Sequence, residues 1–174
     1  VDHMDRYDSF EQYSSVKMSL LDKCKNLVLN RDEFPVSIPS IEANKGNQLT
    51  ISLSQDSLSS DYHRQQHEDG RFWIYKADKP LIAQDELKIA GLHNVSNVMV
   101  ALALCEASGV AVNSAMIEKL RQWSGLQHRC QYIGEKQGIR CYNDSKATNV
   151  GATVAALEGI SETVSGKIIL IAGG

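Results

Sequence analysis

The residue types best suited to chemistry are concentrated in one stretch, Asn143-Asp144-Ser145-Lys146-Ala147-Thr148-Asn149. Within seven residues it carries an acid, a base, two hydroxyls and two amides, with no Gly or Pro until Gly151. A plain turn needs only about two to five residues and usually a Gly or Pro. This composition is that of a binding loop. It follows an apolar run and precedes a helical pattern, and ligands of open α/β sheets bind where strands end and helices begin. Asp144 there suits the hydroxyls of a ribose, and Lys146 suits a phosphate or carboxylate near a helix N-terminus. Helix capping by Thr148 or Asn149 is the simpler alternative, and it accounts for one or two of these residues.

Three further groups are candidates. In Gly91-Leu92-His93-Asn94-Val95-Ser96-Asn97, Asn94 and Asn97 are three apart and share one face of the helix that starts there. Paired carboxamides match the donor and acceptor edge of adenine, and simple capping by Asn94 is the alternative. His128 and Arg129 follow Gly125, where an arginine is able to swing onto a phosphate as two parts of a protein close. Pairing of Arg129 with Glu135 is the competing reading. His3 and Lys17 are weaker signals, each usually a solvated residue. Lys17 nevertheless sits on the edge of an apolar stripe, and a desolvated lysine reacts as a free amine. Addition of carbon dioxide would turn it into a carbamate, an oxygen ligand for magnesium.

The elements that must position these residues show in the periodicity. Residues 11–25 carry Val16, Leu20 and Cys24 at helical spacing, and "NLVLN" reads as a short buried strand. Residues 47–82 alternate in short runs between turn signals, which predicts a small antiparallel section, and "DELKIAG" adds a further strand. Helices are predicted over 95–108 and 114–123, the first stopped by Gly109. Beyond a break at Gly125, residues 130–144 read as a hairpin turning at 136–138. A helix with Val150, Val154, Leu157 and Ile160 inward and a strand over 167–172 then complete a βαβ unit. The fold class is therefore α/β, with a domain boundary near Gly125.

Composition bounds the rest. The net charge of −3 gives no broad basic surface for nucleic acid or anionic lipid. No apolar segment approaches the roughly 18–20 residues that span a bilayer, and no signal peptide opens the sequence, so a cytoplasmic protein without membrane insertion is expected. Cys24, Cys105, Cys130 and Cys141 lack C-x-x-C pairing and read as buried thiols. Both ends read as cuts within a larger protein: Val1 leads directly into a functional-looking "DHMDRY", and "KIILIAGG" looks like a buried strand awaiting its crossover.

Taken together, "DHMDRY", a lysine fourteen residues after its histidine, "GLHNVSN", "LQHR" and "NDSKATNVGAT" resemble, in order and spacing, the bacterial Mur ligases. The resemblance covers essentially the whole sequence. The loop resembles the branch of that family that adds D-glutamate. "HN…N" and "HR" are shared more widely, partly with folylpolyglutamate synthases.

The resemblance implies part of a central ATPase domain over residues 1–126 and the start of a Rossmann-like amino-acid-binding domain over 127–174. It implies ATP and magnesium as cofactors, with His3 and carbamylated Lys17 as metal ligands. Asn94 and Asn97 would lie near adenine, Arg129 and Asp144 at the phosphate and ribose, and Ser145, Lys146 and Thr148 where D-glutamate meets the transferred phosphate. Lys17, His3 and Lys146 would carry catalysis. The implied partners are UDP-N-acetylmuramoyl-L-alanine and D-glutamate, and the implied full-length enzyme is a monomer. The sequence departs from the pattern in having Gln127 where proline is common, and Cys130 and Gln131 where a large apolar residue and glutamate are usual. It also has no G-x-x-x-x-G-K-[ST] phosphate loop, so the stretch is expected to be inactive alone. A folylpolyglutamate-type ligase and a non-catalytic nucleotide-binding module are the alternatives.

Overall fold

The structure, a computed structural model, describes residues 6–33, 41, 44–54, 59–161 and 164–173. β-Branched and aromatic residues, favoured on pleated surfaces, build its strands. β1 (Asn26–Asn30), β2 (Asn47–Ser52), β3 (Tyr62–Gln66), β4 (Phe72–Lys76) and β5 (Lys79–Ala83) form one sheet in that order. β1, β2 and β3 run parallel, and β3, β4 and β5 form an antiparallel meander. The antiparallel section expected over 47–82 therefore begins only at β3. β2 lies between two parallel neighbours, and its buried Leu49, Ile51 and Ser52 fit that central position.

The helices are α1 (Phe10–Met18), α2 (Leu92–Ala107), α3 (Ser114–Gln122) and α4 (Val150–Ser161). α2 lies on β1, β2 and β3. Its Val95, Val98, Met99, Leu102 and Ala103 form one buried stripe that meets Leu49, Ile51, Tyr62, Ile74 and Ile82 of the sheet. Ile117 of α3 closes the same core. Under the core's rim, the Tyr62 hydroxyl donates to Glu106 Oε2 (2.5 Å), and Lys76 Nζ meets Glu106 Oε1 (2.5 Å). Burial and the Glu106 charge push the Tyr62 phenol well above its ordinary pKa, so it remains a donor. Asn113 caps α3 by accepting from the Met116 N–H (3.0 Å).

Residues 127–161 add a second, smaller sheet. β6 (Gln131–Lys136) and β7 (Ile139–Asn143) form the expected hairpin, and α4 follows.

Five expectations are corrected. Val150 and Val154 of α4, expected inward, are 80% and 44% exposed, and the helix buries the small Ala156 and Gly159 instead. Residues 85–91 are not a strand: Gln84–Glu86 form a 3-10 turn, held by Glu86 paired with Arg121 (2.8 Å) and Asp85 with Arg71 (3.3 Å). Residues 167–172 pair with no strand among the described residues, and Ile169 and Ile171 are 82% and 94% exposed, so no βαβ unit forms. The first helix ends at Met18, where the Ser19 hydroxyl donates to the Val16 carbonyl (2.8 Å), and its stripe is exposed rather than packed. Finally, the four cysteines are free, but Cys24 and Cys141 are exposed and Cys105 and Cys130 half-buried. No helix among the described residues is long and apolar enough to cross a membrane.

The sidedness of α2 yields a direct test. Leu102 is 1% exposed and Leu104, on the opposite face, 51%. Leu102→Ala is expected to cost about 2–5 kcal/mol in urea denaturation, and Leu104→Ala well under about 1 kcal/mol. Equal costs would mean that α2 presents another face to the sheet.

Candidate functional site

The stretches "LQHR" and "NDSK" are separated in sequence by the β6–β7 hairpin and are stitched together at its open end. The Cys130 N–H donates to Asp144 Oδ1 (2.9 Å), and the Lys146 N–H donates to the His128 carbonyl (3.1 Å). Asn143 Nδ2 donates to His128 Nδ1 (3.0 Å), which assigns the ring proton to Nε2. These bonds hold a backbone that is costly by itself. His128 (φ 63°) and Cys130 (φ 44°) both lie in the left-handed region, on either side of Arg129. Gln131 Oε1 accepts from the His128 N–H (3.0 Å), an acceptor role that a carboxylate could equally fill. Cys130 holds Asp144 through its backbone N–H, not its side chain. Burial and the Asp144 charge push the Cys130 thiol up, keeping it neutral.

Within the loop, structure and availability divide cleanly. Asn143 Oδ1 accepts from the Ser145 N–H (3.1 Å), and Asn149 caps α4 by accepting from the Ala152 N–H (2.8 Å). The capping alternative therefore holds for Asn149. Ser145, Lys146 and Thr148 are exposed, as is Arg129. Asp144 is half-buried, with Oδ1 engaged by Cys130 and Oδ2 taking no hydrogen bond among the described residues.

The first turn of α2 is the second half of the site. Asn94 Nδ2 donates to the Ala90 carbonyl (2.7 Å), and its Oδ1 accepts from Asn97 Nδ2 (3.4 Å). Asn94 is thus largely occupied, while Asn97 is exposed. Between this turn and the loop stands His93, a residue that sequence reasoning passed over. Burial lowers its pKa, and the carboxylate of Asp144 acts in the opposite direction, so the two lie within electrostatic reach. Its Nδ1 is buried without a hydrogen-bond partner. The available signal was its place, two residues after Gly91, whose φ of 94° shows why a glycine opens the helix.

The structure thus brings Arg129, Asp144, Ser145, Lys146 and Thr148 into one cluster, and His93 relates it to Asn94 and Asn97. Lys17 is not part of that cluster. It is exposed on α1, with its ammonium 5.4 Å from the Tyr13 ring centroid, so the desolvation expected for it is not observed. His3 lies outside the described residues. Among the described residues no group of three or more His, Cys, Asp or Glu could hold a metal ion.

A mixed α/β sheet domain with an exposed polar loop between strand and helix defines the class: an α/β protein whose loop stands where such folds bind ligands. The Mur ligase middle domain model matches residues 1–105, and the chain belongs to the Mur ligase family. Similar proteins include the UDP-N-acetylmuramoylalanine–D-glutamate ligase of Nitrosococcus oceani, 41% identical over 173 residues. Those of Aliivibrio salmonicida and Pseudomonas aeruginosa are each 40% identical, over 173 and 182 residues. Each match covers 99% of this chain but only 37–38% of the relative, so the chain spans little more than a third of those proteins.

The neutral, partnerless His93 makes stability depend on pH with a definite sign. Its folded pKa lies below the ordinary 6.5, so the unfolded state binds the extra proton first as pH falls. Stability is complete above about pH 6.5 and declines as pH drops from there towards the lowered value. His93→Gln is expected to flatten this part of the denaturant midpoint against pH curve. An unchanged slope between pH 7.5 and 5.5 would show that another group governs it.

Proposed function

We propose that the full-length gene product is an ATP-dependent ligase that joins D-glutamate to UDP-N-acetylmuramoyl-L-alanine in the cytoplasm. The observation that carries this reading is the roughly 40% identity over nearly the whole chain, loop included, to proteins named as that ligase. The geometry is compatible with it, because the loop and the first turn of α2 supply cations and amides on either side of one carboxylate. Residues 1–126 would belong to the central ATP-binding domain and 127–174 to the amino-acid-binding domain.

In this reaction the substrate's carboxylate oxygen attacks the γ-phosphorus of ATP, and ADP leaves. The amine of D-glutamate then attacks the acyl carbon of the resulting acyl phosphate. The tetrahedral adduct collapses to an amide, expelling inorganic phosphate, while the amine gives up its proton. Each stage gathers negative charge, so fixed cations and positioning are the catalytic means required. Asn97, backed by Asn94, would meet the adenine edge. Asp144 would accept from the ribose through Oδ2, and Arg129 would lie against phosphate. Lys146, with Ser145 and Thr148, would hold D-glutamate and the transferred phosphoryl group together. His3 and Lys17, the latter as a carbamate, would hold magnesium, which screens the triphosphate when bound. Lys17 is exposed in this structure, and the described residues alone do not complete a metal site.

Phosphate release by the full-length gene product, given ATP, magnesium and UDP-N-acetylmuramoyl-L-alanine, is expected to require D-glutamate. Equal release with glycine or L-alanine would overturn the assigned specificity. Lys146→Ala is expected to reduce turnover about 100-fold, the scale seen when one oriented charge-stabilising donor is removed. Full turnover in that variant would remove Lys146 from the mechanism.

A further inference from the structure

Two glycines meet where α2 and α4 touch. A Cβ built on Gly159 would fall 2.9 Å from the Gly91 Cα, and one built on Gly91 would fall 3.1 Å from the Gly159 Cα. The first distance is one that real Cβ atoms essentially never show and the second is tighter than nearly all of them, so the backbones approach this closely because neither residue has a side chain. Both glycines are buried. The His93 ring lies across this junction: its Nδ1 would be 2.9 Å from a Cβ on Gly91 and 3.0 Å from one on Gly159. The buried Nδ1, without a hydrogen-bond partner, faces this close contact.

The position of the junction gives it a consequence. Gly91 is the N-cap of α2, two residues before His93 and three before Asn94. Gly159 lies near the far end of α4, whose near end continues directly from the loop. α4 is therefore a lever. One end rests on the cap of α2, and the other carries Asp144, Ser145, Lys146 and Thr148.

We propose that the Gly91–Gly159 contact and the His93 ring wedged against it are a positioning device, setting the loop at 143–149 relative to Asn94 and Asn97. The device acts through α4 and touches no substrate. It holds the nucleotide-facing and amino-acid-facing groups at a fixed spacing from the α2 turn. This inference rests on the ligase reading above. A displacement of about 1 Å at such a site is enough to lower a rate by two orders of magnitude.

The test compares variants of the full-length gene product. Gly159→Ala puts a methyl group into the contact and is expected to raise KM for both ATP and D-glutamate about tenfold or more. KM for UDP-N-acetylmuramoyl-L-alanine should stay within about twofold. A merely destabilised enzyme would instead lose active molecules, lowering apparent kcat with every KM unchanged. Gly151→Ala makes the same change in the same helix, where the new Cβ would meet only Asn149 Oδ1 at an ordinary 3.5 Å, and should leave all three constants alone. Should Gly159→Ala fail to fold, His93→Ala removes the wedge without adding bulk and is expected to show the same split. Normal KM values for ATP and D-glutamate in a folded Gly159→Ala, or in His93→Ala, would overturn the device. A wild-type protein with no D-glutamate-dependent phosphate release would sink the ligase reading and this inference with it, whereas an active wild type with unaffected variants would sink this inference alone.

Discussion

One constraint governs the layout: the buried stripe of α2 allows that helix only one rotation on the sheet. Val95, Val98, Met99, Leu102 and Ala103 are each at most 2% exposed, and together they lock the helix about its axis. Successive residues in a helix turn by about 100°, so fixing this stripe also fixes where Asn94 and Asn97 emerge. Hydrophobic burial at about 25 cal/mol per Å² is non-directional, yet through this stripe it sets the direction in which polar groups face. The polar turn is not held by its own contacts so much as by the apolar residues one turn further on.

The second half of the molecule is organised by hydrogen bonds instead. Its small sheet exposes much apolar surface, with Ile133 and Ile139 61% and 62% exposed. Order near the loop comes from the bonds linking residues 128–131 to 143–146. Two non-glycine residues in left-handed conformations cost of order 1–3 kcal/mol each. Side-chain and backbone hydrogen bonds, each contributing about 0.5–1.5 kcal/mol, offset that strain. As a result Arg129 is presented on a taut turn, and any change at Asn143 or Asp144 reaches it through the backbone. The two motifs are one structural unit, although 12 residues, numbers 131–142, separate His128-Arg129-Cys130 from Asn143.

Much of this was legible in the sequence, and the failures have physical causes. Helical periodicity located α2, α3 and α4 and the hairpin showed in its turn at 136–138, but the face of α4 was misread, because its close approach to α2 buries Ala156 and Gly159 rather than Val150 and Val154. The loop at 143–149 was recognisable from composition alone. Periodicity failed where a pattern had no partner to pack on. The Val16, Leu20 and Cys24 spacing is helical, but nothing among the described residues covers Val16 or Leu20, and α1 stops at Met18. "KIILIAGG" has the content of a strand and no ladder to join. "DELKIAG" alternates correctly, yet the ion pairs of Asp85 and Glu86 hold its start in a turn. His93 was passed over because its importance depends on Gly159, 66 residues away, and no local pattern reveals a close approach between two backbones.

That close approach also settles why a histidine without a partner is tolerable at the junction. A buried polar atom lacking a hydrogen bond costs about 1–3 kcal/mol, and a buried charge much more. Staying neutral is the cheaper state for His93, and burial lowers its pKa accordingly. The neutral ring leaves the negative charge of Asp144 uncompensated from the side of α2. A permanent cation in that place would attract the Asp144 carboxylate and compete with any donor arriving from solvent. An aliphatic side chain would fill the same wedge but could never carry charge. Histidine fills the space, keeps the field of Asp144 intact at neutral pH, and couples both to the Gly91–Gly159 contact between the two halves of the site.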